Sequence, residues 1–144
     1  MNFVAEILKV KGRDVWTVLS DSTVYDALQE MADKNIGALL VVEGDKLVGV
    51  FSERDYARKV ILHGKASKDT LVKEIMSPEV FWVRPEQTIT DCMELMTNKR
   101  IRHLPVLDQD RLIGVISIGD VVKAIISEKE FAIQQLEQYI TGGR

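Results

Sequence analysis

Apolar and polar positions along the chain predict one series of elements, which then repeats. An apolar stretch at residues 14–18 (DVWTV) predicts a strand, and apolar residues at helical spacing within 22–35 predict an amphipathic helix after it. Two short strands follow at 38–42 and 46–51, joined by the turn sequence EGDK, and a helix begins at Ser52. The same order, strand, helix, strand, strand, helix, returns 65 residues later, and TLVKEIM predicts a short helix between the copies.

The repetition extends to the residues themselves. Residues 15–60 align with residues 80–125 without a gap, and 15 of the 46 aligned pairs are identical. Unrelated segments of average composition would share about 3. A unit of this size buries too little surface to fold alone. The sequence therefore predicts an α/β fold in which two βαββα repeats pack around a pseudo-two-fold axis, within one module.

We place the boundaries of this module from the same alignment. The first repeat is expected at residues 5–66 and the second at 73–130, and residues 131–144 are expected to form a C-terminal helix and tail. Apolar residues in that helix and near the N-terminus exceed the need of one small core, which predicts that they cover the core or contact a second subunit. They are Val4, Ile7, Leu8, Phe131, Leu136, Tyr139 and Ile140.

Both copies contain the motif G-V-x-S-x-x-D, as GVFSERD at 49–55 and GVISIGD at 114–120. The glycine lacks a Cβ, so another group can approach the strand closely. The serine and the aspartate three residues later can form a capping box, as can the Thr/Asp pairs that open the other helices. A helix N-terminus also favours anions, and a carboxylate can accept both hydroxyls of a ribose. The motif alone leaves a helix cap and a ligand site both open.

Composition and charge narrow the class of protein. The formal charge of −3 argues against a nucleic-acid partner, because such proteins usually carry a basic surface. Cys92 is the single cysteine and falls in a helical apolar pattern, which predicts an inert core thiol. No spacing of Cys, His and carboxylates suggests a metal site, and no segment approaches the ~20 apolar residues of a membrane span. We expect a cytoplasmic protein that does not insert into membranes.

The duplicated unit, the strand sequence IRHLPVL and the G-x-x-S-x-x-D junctions resemble a tandem pair of CBS domains, the cystathionine β-synthase type of module, over roughly residues 5–130. The chain is similar to stand-alone CBS-pair proteins. The resemblance implies a non-catalytic regulatory module that binds an adenosine-type ligand (AMP, ADP, ATP, NAD(H) or S-adenosylmethionine) and requires no cofactor. It also implies a homodimer that relays binding to a partner protein, which the sequence does not identify.

The resemblance also implies two clefts, each combining the junction of one copy with the strand start of the other. Cleft A would take Lys11, Trp16, Ile36, Gly37, Ala38, Ser117, Gly119 and Asp120. Cleft B would take Ser52, Arg54, Asp55, Arg58, Ser77, Phe81, Ile101, Arg102, His103 and Pro105. Leu40 stands in the first copy where Pro105 stands in the second, which departs from the family's strand. Because cleft B gathers three arginines, we expect it to hold the phosphate-bearing ligand.

Two other classes of function stay open on the sequence. One is a structural dimerisation adaptor whose clefts are vestigial. The other is an enzyme that acts on a nucleotide, with His103 as its general acid or base. The enzyme is disfavoured because the sequence offers no nucleophile–base pair, no metal set and no phosphate-binding loop of the Walker type.

Overall fold

The structure is a computed structural model and describes residues 3–141, so the tail expected at 142–144 lies outside the described residues. The elements in chain order are α1 (Val4–Lys11), β1 (Thr17–Leu19), α2 (Val24–Lys34), β2 (Ala38–Glu43), β3 (Lys46–Ser52), α3 (Glu53–Lys59), a 3₁₀ turn (Ile61–His63), α4 (Val72–Ile75), α5 (Ile89–Lys99), β4 (His103–Asp108), β5 (Arg111–Ser117) and α6 (Ile118–Ile140). Their order confirms a mixed α/β fold with two repeats of βαββα type.

The chain divides into two compact units, which do not follow the two sequence copies strictly. Unit 1 contains residues 81–109 and 113–141 together with the N-terminal residues 3–14. Unit 2 contains residues 15–80 together with 110–112. The N-terminal helix α1 therefore belongs to the unit that holds the second copy.

Unit 2 is built on a three-stranded sheet. Strand β1 pairs parallel with β2, and β2 pairs antiparallel with β3 in a register that sets Ala38 opposite Ser52. Thr23 caps helix α2, and its hydroxyl accepts the Asp26 amide, which is one of the two hydrogen bonds of the predicted capping box. The helices and the sheet share one buried apolar cluster, made of Val24, Ala27, Met31, Leu39, Val41, Phe51, Val60, Val72 and Ile75.

Unit 1 repeats this arrangement with a shorter sheet. Strands β4 and β5 pair with each other, but the predicted strand EVFWV forms only an isolated parallel bridge, from Val83 to Val106. That prediction is therefore wrong for residues 79–82, although Val83 itself is fully buried. The core of the unit consists of Val4, Ile7, Leu8, Val83, Ile89, Cys92, Met96, Leu104, Val106, Ile116 and Val121.

The segments that precede each copy complete the two cores. Helix α1 precedes the first copy but buries Leu8 in the core of unit 1. Helix α4 precedes the second copy but buries Val72 and Ile75 in the core of unit 2. Val4, Ile7 and Leu8 thus cover a core. Burial raises the pKa of the Cys92 thiol to about 11, which confirms the prediction of an inert core thiol.

The last helix is longer than the fold requires. Helix α6 runs without interruption for 23 residues, and Val121 near its start is buried in unit 1. All residues from Ser127 to Thr141 are exposed. Phe131, Leu136, Tyr139 and Ile140, which the sequence assigned to a cover or to a subunit contact, are at least 61% exposed. None of the helices in the described residues is apolar enough over a sufficient length to cross a membrane.

Candidate functional site at the strand-to-helix junctions

The first junction, in unit 2, buries its carboxylate within a set of polar contacts. Asp55 Oδ2 accepts the Ser52 amide at 2.9 Å and the Ser52 hydroxyl at 3.0 Å, while the Ser52 hydroxyl accepts the Asp55 amide at 3.1 Å. Oδ1 accepts the Ser77 hydroxyl at 3.2 Å and lies 3.3 Å from the Lys59 ammonium. Only 8% of Asp55 is exposed. The capping box is confirmed here, and Asp55 contacts four polar groups of its own chain.

The glycine of the first junction allows the chain itself to approach the strand. The segment after α4 runs antiparallel to β3, where Val50 and Ser77 exchange two backbone hydrogen bonds. A Cβ on Gly49 would lie 2.6 Å from Met76 Sδ and 2.9 Å from the Ser77 carbonyl oxygen. The close approach expected at this glycine therefore occurs, and the approaching group is part of unit 2.

The second junction, in unit 1, carries the same capping box in different surroundings. Asp120 Oδ2 accepts the Ser117 amide at 2.8 Å and the Lys11 ammonium at 2.6 Å. Lys11, the last residue of α1, also donates to the Val115 carbonyl at 2.7 Å. A Cβ on Gly114 would meet only the Leu8 side chain, with Cδ2 at 2.7 Å and Cδ1 at 3.3 Å. Helix α1 thus occupies here the place that residues 76–77 occupy in unit 2.

Charged groups of unit 1 gather around Asp120. Its carboxyl is partly buried, which raises its pKa, but the hydrogen bonds from Lys11 and Ser117 outweigh burial and lower the pKa below its usual value. Burial lowers the pKa of His103; the charges of Lys11 and Arg102 lower it further, and Asp120 opposes them. Near neutral pH this group therefore contains two cations, one carboxylate and an uncharged imidazole. We call Lys11, Arg102, His103 and Asp120 the unit 1 polar group.

The sequence interpretation did not group His103 and Arg102 with Asp120. Within each copy, the start of one strand lies beside the junction at the end of the next, because the two strands form a hairpin. The Glu53 amide donates to the Gly37 carbonyl at 3.0 Å, and the Ile118 amide donates to the Arg102 carbonyl at 2.8 Å. The hairpin register, readable from two strands joined by a short turn, was the signal that could have revealed this proximity.

The remaining predicted site residues lie on their expected elements. Arg54 and Arg58 are exposed on α3, Gly119 is exposed in the first turn of α6, and Ile36, Ala38 and Ile101 are half-buried at strand starts. Pro105 is buried within β4. Cleft A and cleft B each combine residues from both units, and those combinations stay predictions.

Two aromatic residues that the resemblance placed in the clefts lie against lysines. The Lys34 ammonium is 4.4 Å from the ring centroid of Trp16 in unit 2, and the Lys99 ammonium is 4.9 Å from that of Phe81 in unit 1. Such contacts are cation–π interactions worth about 0.5–1 kcal/mol at exposed sites. Trp16 is 44% exposed, whereas Phe81 packs against the core of unit 1. Among residues 3–141, no three Cys, His or acidic side chains are placed to hold a metal ion.

The fold and the repeated junctions define a duplicated α/β module with one Ser-x-x-Asp capping box at the end of each hairpin. The profile of the CBS domain family matches residues 4–62 and 72–127. The chain belongs to the CBS-domain family, whose members are generally regulatory modules that bind adenosine ligands.

Known proteins resemble the whole of this module. The mitochondrial CBS domain-containing protein CBSX3 of Arabidopsis thaliana is 43% identical over 97% of this chain and 72% of its own length. A solved structure from Burkholderia ambifaria, described as a putative signal-transduction protein with CBS domains, is 55% identical and has a TM-score of 0.79, covering 87% of this chain and 94% of that one. A hexameric CBS-CP12 protein from bloom-forming cyanobacteria is 31% identical with a TM-score of 0.70, covering 83% of this chain and 66% of that one.

Proposed function

We propose that this protein is a non-catalytic regulatory module that binds an adenosine-type nucleotide at its strand-to-helix junctions. AMP, ADP, ATP, NAD(H) and S-adenosylmethionine are the candidate ligands, and no other cofactor is required. A partner protein would respond to the bound state. This requires that the ligand bind one conformation of the module more tightly than another, since a ligand with equal affinity for both shifts nothing.

The unit 1 polar group is the observation that carries the proposal. The Asp120 side chain is 20% exposed, and its carboxylate has the geometry to accept ribose hydroxyls. Lys11 and Arg102 are exposed cations that influence the same region, and both can contact phosphate oxygens. The uncharged His103 adds a hydrogen-bonding group without further positive charge. A sugar acceptor beside phosphate-binding cations matches the chemistry of a nucleotide.

The Asp55 junction is the second candidate. Its carboxylate is already bound by Ser52, Ser77 and Lys59, so a ribose would have to displace at least one of these groups. The sequence assigned the phosphate to this side because of Arg54, Arg58 and Arg102. Within unit 1, however, the Arg102 carbonyl accepts the Ile118 amide at 2.8 Å, which places Arg102 beside the start of α6 that carries Asp120. We therefore expect Asp120 to contribute more to binding than Asp55.

The test is isothermal titration of the full chain with each candidate ligand, preceded by a thermal-shift screen. A ligand that binds the folded state raises its stability by about 2.7 kcal/mol at 100 times Kd. We expect at least one adenosyl compound to bind, and Asp120→Asn to weaken its binding by about tenfold or more. Asp55→Asn should weaken it less.

Asp91→Asn is the matched control. Asp91 forms the same capping box with Thr88 at the start of α5, but it is exposed and lies away from the glycine junctions. Its substitution should leave binding unchanged. If Asp91→Asn weakens binding as much as Asp120→Asn, the effect is one of stability and the proposed site is wrong. If Asp55→Asn alone abolishes binding, the grouping around Asp55 is the correct one.

A structural adaptor is the second candidate function. Its support is that the chain itself fills both glycine junctions and contacts both carboxylates. The absence of a thermal shift with every adenosyl compound would favour it. Hydrolysis of ATP that is lost in His103→Ala would instead favour an enzyme.

We also propose that the protein functions as a homodimer. The cyanobacterial relative described as hexameric supports self-association within this family.

A further inference from the structure

Five of the exposed apolar residues of α6 lie in one stripe along the helix. Val122, Ile126, Ile133, Leu136 and Ile140 are each 41–79% exposed. Their spacing is that of alternating a and d positions of a heptad repeat, with the d position between Ile126 and Ile133 taken by Lys129. The α6 stripe, as we call these five residues, spans about 27 Å at 1.5 Å per residue.

The exposed part of α6 has little to stabilise it alone. Isolated helices shorter than about 12–15 residues are marginal in water, and most helices in proteins depend on the packing of an apolar face. Every residue from Ser127 to Thr141 is exposed, so this segment makes no buried contact in unit 1. A spacing of three and four residues sustained over the stripe fits a partner helix with the same spacing.

The charges beside the stripe select the orientation of that partner. In a parallel pair, Lys129 would face its own copy in a core layer, which brings like charges together. In an antiparallel pair, a positions face d positions, so Val122 faces Ile140, Ile126 faces Leu136, and Lys129 faces Ile133. The alkyl part of Lys129 can then cover Ile133 while its ammonium reaches water.

The flanks of the stripe support the same orientation. Lys123, Glu130 and Glu137 share one flank at e positions. Antiparallel pairing sets Lys123 beside Glu137 of the partner copy at both ends and Glu130 beside Glu130 at the centre, which gives two attractive pairs against one repulsive pair. In a parallel pair this flank would face the apolar residues Ile118, Ile125 and Ala132, so it would form no attractive charge pair. We propose that the α6 stripe binds the α6 stripe of a second copy of this chain in antiparallel orientation.

The first experiment measures the mass of the full chain by analytical ultracentrifugation over a range of concentrations. Ile133→Asp should halve the mass of the assembly or weaken the association by about tenfold or more, because it places two charges in the core of the contact. Phe131→Asp is the control: Phe131 is 62% exposed but lies on the opposite side of the helix. It should leave the mass unchanged. Circular dichroism checks that both variants stay folded.

The second experiment uses the charges. Lys123→Glu and Glu137→Lys should each weaken self-association, because each places like charges at both ends of the contact. An equimolar mixture of the two variants should associate more tightly than either alone, since every end pair is again attractive. In a parallel pair the two positions are about 21 Å apart along the axis, so no recovery would occur.

The outcomes separate clearly. The proposal is overturned if the wild-type chain stays monomeric, if Ile133→Asp leaves the association unaffected, or if the mixture of the two charge variants shows no recovery. Ligand titration of Ile133→Asp tests the proposed function separately, since that residue is not part of either junction. An Ile133→Asp variant that loses the dimer and still binds nucleotide supports both proposals. A wild-type chain that associates but binds no adenosyl compound contradicts only the proposed function, and one that binds nucleotide but stays monomeric contradicts only the α6 contact.

Discussion

The two junctions have the same capping box but differ in how completely the rest of the chain surrounds the aspartate side chain. At Asp55 both carboxylate oxygens contact groups of unit 2, and the side chain is 11% exposed. At Asp120 the contacts to Ser117 and Lys11 both use Oδ2, and the side chain is 20% exposed. The cation also differs in origin, because Lys59 lies one turn along the same helix and Lys11 comes from α1.

The difference between the junctions shows which features the two copies of the unit share. The serine and the aspartate form the cap in both copies, so the shared letters describe the start of a helix. The segment that packs against each glycine is not shared: residues 76–77 contribute a backbone carbonyl and a serine hydroxyl, whereas α1 contributes Leu8 and Lys11. The functional difference between the junctions therefore comes from these neighbouring segments.

The largest effect should come from the two glycines. Gly49→Ala would place a Cβ 2.9 Å from the Ser77 carbonyl oxygen, which can move only with the backbone. Gly114→Ala would meet only side-chain atoms of Leu8, with Cδ2 at 2.7 Å and Cδ1 at 3.3 Å, and a side chain can shift more readily than the backbone. Because overpacking a core costs about 1–3 kcal/mol, we expect a loss of about 2–3 kcal/mol for Gly49→Ala and about 1 kcal/mol for Gly114→Ala. Urea unfolding measures both.

Gly119→Ala supplies the control for these two changes. A Cβ at Gly119 would lie 3.6 Å from Ser117 Oγ, an ordinary contact, and the residue is helical. Alanine is favoured over glycine in a helix by about 1 kcal/mol, so this variant should be at least as stable as the wild type. Equal losses at Gly49 and Gly114 would contradict the claim that the two segments differ in rigidity.

A smaller effect should come from the two lysines. Lys11→Met removes a 2.6 Å ion pair and the bond to Val115, and we expect a loss of about 1 kcal/mol at pH 7 after allowance for solvent screening. Lys59→Met removes a 3.3 Å contact within one helix and a 3.2 Å hydrogen bond to the Ile75 carbonyl. Because both contacts are longer than those of Lys11 and the side chain is more exposed, a smaller loss of about 0.5 kcal/mol is expected. Urea unfolding of both variants at pH 7 tests the order.

The pH dependence of Lys11→Met provides an internal check. The folded-state pKa of Asp120 lies below its usual value, so its stabilising contribution is present above that usual value and is lost as the pH falls through the folded pKa. The deficit of Lys11→Met should therefore shrink in acid. Removing the Lys11 charge should also raise the pKa of His103, which an NMR titration detects. An unchanged His103 titration would exclude close coupling within the unit 1 polar group.

The local pattern of apolar and capping residues in the sequence was sufficient to predict most of the helices and strands and the caps of the helices. Spacing of apolar residues predicted α2 and α5, and a Ser or Thr three residues before an acid predicted the boxes at Asp55, Asp91 and Asp120, which the structure confirms. These features depend on residues within one helical turn, so a single sequence contains the information. The prediction of a first strand in the second copy was wrong because a strand forms only through pairing with another strand, and the local pattern does not determine that pairing.

Contacts across the chain could not be predicted in the same way. Leu8 and Gly114 are in contact although about three quarters of the chain separates them, and nothing in the periodicity of α1 indicates which core it covers. Lys11 was a predicted residue of cleft A, but its ion pair with Asp120 depends on the placement of α1. The grouping of His103 with Asp120 was within reach, because hairpin register alone places residue 103 beside the start of α6.

The smallest effect concerns the residues that end α2 and α5. Asn35 and Arg100 occupy equivalent left-handed positions, with φ of 56° and 55°. Asparagine tolerates this conformation, whereas a residue with a longer side chain is destabilised there by part of the left-handed conformational energy of about 1–2 kcal/mol. Glycine removes this penalty, but it also lowers the free energy of unfolding by about 0.4–1 kcal/mol, because it raises the conformational entropy of the unfolded chain. In urea unfolding, Arg100→Gly should therefore stabilise the protein by about 0.5 kcal/mol, and Asn35→Gly should be close to neutral. Arg100→Ala is the control, because it removes the same side chain without freeing φ, and it should not stabilise the protein. A gain in Arg100→Ala equal to that in Arg100→Gly would show that the arginine side chain, and not the backbone conformation, lowers the stability at this position.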